Sequence, residues 1–152
     1  MLKNIISYIL IYVCIIGCNG GSPSSWNDND SCIENCYLTI EAPSLEVDEN
    51  GYYHMEFLDG YTQTFSTLRA EAGIEYQKLG WISNKEILIG GSWINLVNGV
   101  SYTNEDGVGN TVLSAWTEFI GDTIKVYCGY WTQDDCHTHY VDSLEVILED
   151  LE

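Results

Sequence analysis

The sequence predicts an all-β fold, an antiparallel β-sandwich of about seven to nine strands. From Cys36 onward, apolar residues come in short runs, and turn-forming residues separate these runs. No long run with the period of a helix is present. Residues 121–148 consist of two alternating runs around a polar turn, and this pattern predicts a β-hairpin with one buried face.

The chain begins with an apolar segment that predicts a signal peptide over residues 1–17. Lys3 precedes an apolar run over 5–16, which is too short to span a membrane comfortably. The run ends in the letters IIGC, which resemble the lipobox of bacterial lipoproteins, with Cys18 as the lipid-bearing residue. The resemblance implies a lipid-anchored protein of the bacterial cell envelope, facing the periplasm or the cell exterior. An ordinary secretory signal that is cleaved nearby, or an amino-terminal anchor helix, are the alternatives.

Residues 18–35 predict a flexible tether between the lipid and the folded domain. The segment is rich in Gly, Ser and Asn and has no periodic apolar pattern. The whole chain carries 23 acidic and 5 basic residues, a formal net charge of −18. Because nucleic acid would repel this charge, we exclude it as a partner. The expected partners are the membrane, through the lipid anchor, and a protein or glycan ligand.

Residues 36–152 predict a single β-sandwich domain. The runs over 52–57 and 61–70 flank an Asp-Gly turn and predict a hairpin. Later runs predict strands around 79–81, 87–89, 93–97 and 111–119. The predicted core residues are Trp81, Phe65, Leu68, Trp116 and Val126.

Five segments of this domain occur in an order that is similar to a known family. They are FSTLRAEAG, LGWISN, YTNEDGVGNTVL, GDTIKVY and DSLEVIL, within residues 61–148. Together they resemble bacterial immunoglobulin-like domains, of the kind found in surface adhesins and in accessory modules of secreted enzymes. The chain departs from the antibody-type pattern, because its candidate second strand has no cysteine and Tyr127 directly precedes Cys128. The resemblance implies an immunoglobulin-like sandwich that binds a ligand.

Four cysteines follow Cys18, and they permit three pairings. Disulfides are expected in an exported chain. We predict local bridges, Cys32 with Cys36 and Cys128 with Cys136, because the members of each pair are close in sequence. In the alternative, cross-pairing would join the start of the domain to its final hairpin.

The loop that precedes the last strand contains weak candidates for a metal site. His137 and His139 have the spacing that places two imidazoles on one face of a strand. Oxidised cysteines cannot be ligands, however, and the chain lacks the paired C-x-x-C spacing of structural zinc. We therefore expect neither a metal nor a cofactor.

The sequence also lacks the common catalytic motifs. No nucleophile elbow, metalloprotease helix motif or phosphate loop is present. We therefore predict that the protein is not an enzyme. A small envelope-bound metal-dependent enzyme is the alternative.

Aromatic residues supply the candidate ligand contacts. The chain has 11 tyrosines and 5 tryptophans, and Tyr130, Trp131 and Trp93 fall near predicted turns. Exposed rings stack on sugar faces or anchor protein contacts. The alternative is that they pack on neighbouring strands, where aromatic residues are common. The sequence predicts a non-catalytic binding module, with a glycan-binding module as one form of it.

Overall fold

The computed structural model describes residues 37–132 and 138–150, which form eleven strands and one short 3-10 helix. The strands are β1 (Thr39–Glu41), β2 (Glu46–Val47), β3 (Tyr53–Phe57), β4 (Gln63–Glu71), β5 (Lys78–Ser83), β6 (Glu86–Ile89), β7 (Ser92–Asn95), β8 (Val100–Tyr102), β9 (Val108–Trp116), β10 (Thr123–Trp131) and β11 (Thr138–Asp150). The helix, Thr117–Phe119, joins β9 to β10. Within these residues, the prediction of an all-β sandwich is confirmed.

Two sheets form the sandwich, and a separate hairpin projects from it. The smaller sheet has the order β1-β4-β9, and the larger has the order β2-β3-β11-β10-β5-β8. Strands β6 and β7 pair only with each other. The strand count exceeds the predicted range partly because β2 and β8 have only two and three residues, too few for a recognisable alternation.

One predicted hairpin is wrong, because β3 and β4 lie in different sheets. The Asp59-Gly60 turn does form, with Gly60 at a positive φ of 79°, but it leads the chain from one sheet to the other. Strand β3 instead pairs with β11 in a parallel register, in which Leu148 lies beside Met55. The other strand pairs of the described residues are antiparallel.

The core lies between the inner faces of the two sheets. Leu68, Trp81 and Val126 are buried, as predicted, and Trp116 is partly buried against them. Phe65, however, is 61% exposed, which corrects its assignment to the core. On β4 the inward positions are even-numbered, as Leu68 shows, so that the odd-numbered Phe65 points to solvent.

The predicted hairpin at the carboxyl end is confirmed as the pair β10 and β11. Its register runs from Thr123 opposite Ile147 to Trp131 opposite Thr138, with one bulge between Cys128 and Gly129. The connecting residues 133–137 lie outside the described part of the chain. Across 37–132 and 138–150, no helix reaches the length and hydrophobicity needed to cross a membrane.

Candidate functional site

The three aromatic residues that the sequence proposed as ligand contacts have different environments. Trp93 is 67% exposed, Trp131 is half-buried, and Tyr130 is only 3% exposed. The Tyr130 hydroxyl donates hydrogen bonds to the backbone oxygens of Tyr37, at 2.8 Å, and Ala72, at 3.3 Å. The proposal that Tyr130 contacts a ligand is therefore wrong, since its ring belongs to the core. Trp93 and Trp131 lie on separate surfaces.

Trp93 belongs to the hairpin of β6 and β7, residues 86–95, which we call the Trp93 hairpin. Its turn is Gly90-Gly91, and both glycines have positive φ, 60° and 86°, as a tight two-residue turn requires. Leu88 lies directly opposite Trp93, and both side chains point to one face of the hairpin. Ile89 and Ile94 are exposed on the other face. The tip is therefore apolar on both faces.

Hydrogen bonds hold the base of the Trp93 hairpin on the sandwich. The Asn95 side-chain oxygen accepts hydrogen bonds from the backbone nitrogen and the hydroxyl of Ser83, at 2.9 and 3.0 Å. The Asn95 amide nitrogen donates to the Ser83 carbonyl at 3.0 Å. Ile87 is buried beneath the first strand of the hairpin. The base is thus fixed while the tip contacts solvent.

A shallow cavity of about 390 Å³ lies beside this base. It is lined by Ser83, Asn84, Lys85, Glu86 and Trp93. The Lys85 ammonium group forms an ion pair with Asp122 at 2.9 Å. The cavity is open to solvent and combines one aromatic ring with charged and amide groups.

Trp131 belongs to a second exposed surface, on the outer side of the larger sheet. We call this surface the aromatic face, and it consists of Ile82, Val100, Tyr102, Tyr127, Trp131 and Tyr140. The rings of Tyr127 and Tyr140 meet edge to face with centroids 6.2 Å apart. The Lys78 ammonium nitrogen lies 3.5 Å from the centre of the Trp131 ring, a cation–π contact.

Two glycines shape the middle of the aromatic face. Gly80 and Gly129 lie opposite each other on β5 and β10. A Cβ atom on Gly80 would collide with the Thr138 side chain, and one on Gly129 would collide with the backbone of His139. The first residues of β11 therefore lie directly on the sheet at these two positions.

Cys128 is a free cysteine in the described part of the chain, and its side chain faces the core. Burial raises the pKa of its thiol to about 12. The residue opposite it on β11 is Asp142. Cys32, Cys36 and Cys136 lie outside the described residues, as does Cys18, so that lipidation and the pairing of the cysteines stay predictions.

His137, one of the two weak candidates for a metal ligand, lies outside the described residues. The structure therefore does not test a metal site at His137 and His139. His139 is exposed at the start of β11. In the ranges 37–132 and 138–150, no three His, Cys, Asp or Glu side chains form a group that could hold a metal ion.

His54 contacts two carboxylates, and this cluster was not predicted from the sequence. Its Nδ1 lies 3.0 Å from Glu149 Oε1, and its Nε2 lies 3.6 Å from Asp48 Oδ2. The hydrogen bond to Glu149 is the main reason why the pKa of His54 is raised. The Asp48 pKa is lowered, chiefly because the Tyr52 backbone donates a hydrogen bond to it.

Trp93 was singled out from the sequence, but the other exposed apolar residues of the hairpin tip, Leu88, Ile89 and Ile94, were not. The sequence does contain a signal for them, since no Asp, Glu, Lys, Arg or His occurs over residues 87–104 in this acidic chain. Charged side chains normally cover exposed strands, so their absence indicates a surface that meets something apolar.

Comparison of the chain with models of protein families and with curated proteins found no match.

Proposed function

We propose that the protein is a lipid-anchored protein of the bacterial cell envelope, and that its sandwich is a non-catalytic binding module. In this proposal, the Trp93 hairpin is the contact surface for a protein ligand. The observation that carries it is the tip of this hairpin, where Leu88, Ile89, Trp93 and Ile94 are exposed on both faces above a fixed base.

The chemistry of the tip favours a ligand with an apolar cleft. A sheet face that docks on a flat surface needs one apolar side, but this tip has two. Insertion into a cleft would remove both from water, and tryptophan is among the residues that dominate binding energy at protein interfaces. Because residues 87–104 carry no charge, insertion would desolvate no ionised group.

The position of the hairpin is compatible with an anchor at Cys18. The described chain begins at Tyr37, which contacts Tyr130 near the end of β10. The Trp93 hairpin is held by Ser83, which lies opposite Val126 towards the other end of the sheet. If a tether joins the domain at Tyr37, the base of the Trp93 hairpin lies on the side of the domain that faces away from the membrane.

The order of the strands supports an immunoglobulin-like assignment within this proposal. If β1, β4 and β9 are labelled A, B and E, and β5, β10 and β11 are labelled C, F and G, the two sheets contain A-B-E and C-F-G. Both orders occur in immunoglobulin sandwiches.

A glycan is the second candidate ligand, and the cavity beside Trp93 favours it. Sugars present apolar faces that stack on aromatic rings and hydroxyl groups that bond to polar side chains. Trp93 supplies the ring, while Glu86 and Asn84 supply polar groups in the same cavity.

Photo-cross-linking in cells tests the proposal on the full-length protein. A benzoylphenylalanine in place of Leu88 should give a discrete adduct with one protein, and the double variant with Trp93→Ser should lose most of it. A benzoylphenylalanine in place of Phe65, which is similarly exposed on the opposite sheet, serves as the matched control. Equal adducts at both positions would contradict the proposal.

The glycan candidate has a separate readout. Retention of the protein on a polysaccharide column should fall with Trp93→Ala and not with Leu88→Ala, because Leu88 does not line the cavity. If both variants are retained like the unchanged protein, the cavity is not a glycan site.

A further inference from the structure

Within residues 37–132 and 138–150, the Trp93 hairpin has two strand edges without a partner strand, because β6 and β7 pair only with each other. In a hairpin with a two-residue turn, the residues that flank the turn exchange hydrogen bonds, and the next pair does not. Ile89 and Ser92 flank the turn, so that the next pair is Leu88 and Trp93. The backbone N–H and C=O of Leu88 therefore point outward from β6.

The outer edge of β6 lacks the features that normally protect an exposed strand. Protected edges carry a lysine, a proline or a bulge. Residues 87–89 are Ile-Leu-Ile, and the register between β6 and β7 has no shift. In the described part of the chain, no hydrogen bond beyond the hairpin's own ladder involves the backbone of Leu88. An edge of this kind is a template for another extended segment.

We propose that an extended segment of the protein ligand pairs with the outer edge of β6 and adds a third strand to the Trp93 hairpin. This inference rests on the proposed function and specifies the form in which the ligand binds. The backbone of the segment would hydrogen-bond to the N–H and C=O of Leu88. Its side chains would alternate between the two faces of the hairpin, and both faces are apolar at the tip. The segment would thus form one wall of the apolar cleft.

The cavity beside the base of the hairpin favours β6 as the strand that the segment joins. The cavity is lined by Glu86, the first residue of β6, by residues 83–85, which precede it, and by Trp93. The open space therefore adjoins the beginning of β6. A segment that pairs with β6 and continues into this space would also contact the Trp93 ring, and tryptophan is among the residues that dominate binding energy at interfaces.

Glu86 indicates the charge of the segment. This residue is exposed, and it takes part in none of the ion pairs of the described residues. Its neighbour Lys85 is already paired with Asp122 at 2.9 Å. A cationic side chain beside Glu86 would therefore complement its charge, and the net charge of −18 favours a cation over an anion at this position. We expect an apolar segment with a lysine or arginine beside Glu86.

In-cell photo-cross-linking of the full-length protein tests this proposal, with benzoylphenylalanine in place of Ile89 as the probe. The compared variants are Leu88→Ala and Leu88→Pro. Both remove the leucine side chain, but only proline also removes the outward N–H. Proline is tolerated on an edge strand where the N–H faces solvent, so that the hairpin's own ladder is retained. We expect about tenfold less adduct from Leu88→Pro than from Leu88→Ala.

Val100 on β8 supplies the matched control for proline. The Trp81 N–H bonds to the Gly99 carbonyl, so that Gly80 and Val100 form a pair without hydrogen bonds and the Val100 N–H also points outward. Val100→Ala and Val100→Pro should therefore give equal Ile89 adducts.

A second pair of variants does not depend on how the hairpin accommodates proline. Glu86→Lys should reduce the Ile89 adduct severalfold more than Glu86→Gln, because only lysine repels a cation of the segment. The two Glu86 variants should have similar melting temperatures, since Glu86 is exposed.

Equal Ile89 adducts within the Leu88 pair and within the Glu86 pair would overturn the strand pairing at β6, as would an adduct with twice the mass of the chain. The adduct of benzoylphenylalanine at Leu88, and its loss with Trp93→Ser, would then still support the hairpin as the contact surface. The absence of adducts at both Leu88 and Ile89 would overturn the strand pairing and the proposed function together.

Discussion

The hydroxyl of Tyr130 donates a 2.8 Å hydrogen bond to the backbone carbonyl of Tyr37, so that the first described residue is joined to the final hairpin. The two residues are 93 positions apart in the chain. The same hydroxyl lies 3.3 Å from the Ala72 carbonyl, just after β4. One buried side chain therefore links both sheets at the end of the domain where a tether would leave.

Tyr130→Phe should destabilise the domain by about 1–2 kcal/mol, because the partly buried carbonyl of Tyr37 and the buried carbonyl of Ala72 lose the hydroxyl that donates to them. Urea unfolding measures the change. Tyr61→Phe is the matched control, since Tyr61 is exposed and should be near neutral. Equal stability of the two variants would show that the buried hydroxyl contributes nothing.

Asn95→Ala should loosen the Trp93 hairpin, because its side chain makes the hydrogen bonds that join the hairpin to Ser83. We expect a loss of roughly 1–3 kcal/mol in unfolding free energy, since the backbone groups of Ser83 would lose their partners. Hydrogen exchange should also become faster at residues 86–95 than elsewhere. Asn110→Ala, an exposed change on β9, should alter neither quantity.

Alternation along the chain predicted the fold class and the final hairpin correctly, and the period of two also explains two errors. Ile124, Val126 and Cys128 face the core, and Tyr130 continues the same series. Tyr130 was predicted to lie in an exposed loop because the predicted strand ended too early. On β4, Leu68 and Ala70 point inward. Phe65 is an odd number of residues away from Leu68, so it points to solvent although it is large and apolar, and its assignment to the core was wrong.

Other features depend on contacts that local patterns do not encode. The Asp59-Gly60 turn is visible in the sequence, but the parallel pairing of β3 with β11 joins residues about 90 positions apart. The same holds for the aromatic face, since the register of β8 against β5 decides that Tyr102 lies beside Lys78. Trp93 could be predicted as exposed because its turn is local.

Cys128 should be a protected free thiol. Since burial raises its pKa to about 12, little thiolate is present at neutral pH, and the core excludes alkylating reagents. A maleimide should therefore leave Cys128 unmodified in the native protein and modify it in guanidinium without reductant. Peptide mass mapping identifies which cysteine carries the maleimide. A peptide that links Cys128 to Cys136 would instead establish the local bridge predicted from the sequence.

His54 should make the stability of the domain depend on pH. Its folded-state pKa is raised, mainly by the hydrogen bond to Glu149 and further by Asp48, and Glu46 lies opposite it on β2. The protonated form therefore stabilises the folded state. This stabilisation is fully present below the unfolded pKa of about 6.5, and it is lost as the pH rises through the folded pKa.

The comparison of His54→Gln with the unchanged protein isolates this effect from the titration of other groups. Urea unfolding at pH 5.5 should give a larger difference in stability than unfolding at pH 8.5. The contact is exposed, so that added salt should reduce the difference at pH 5.5 by screening. A difference that is the same at both pH values would mean that Glu149 and Asp48 do not favour the charged imidazole.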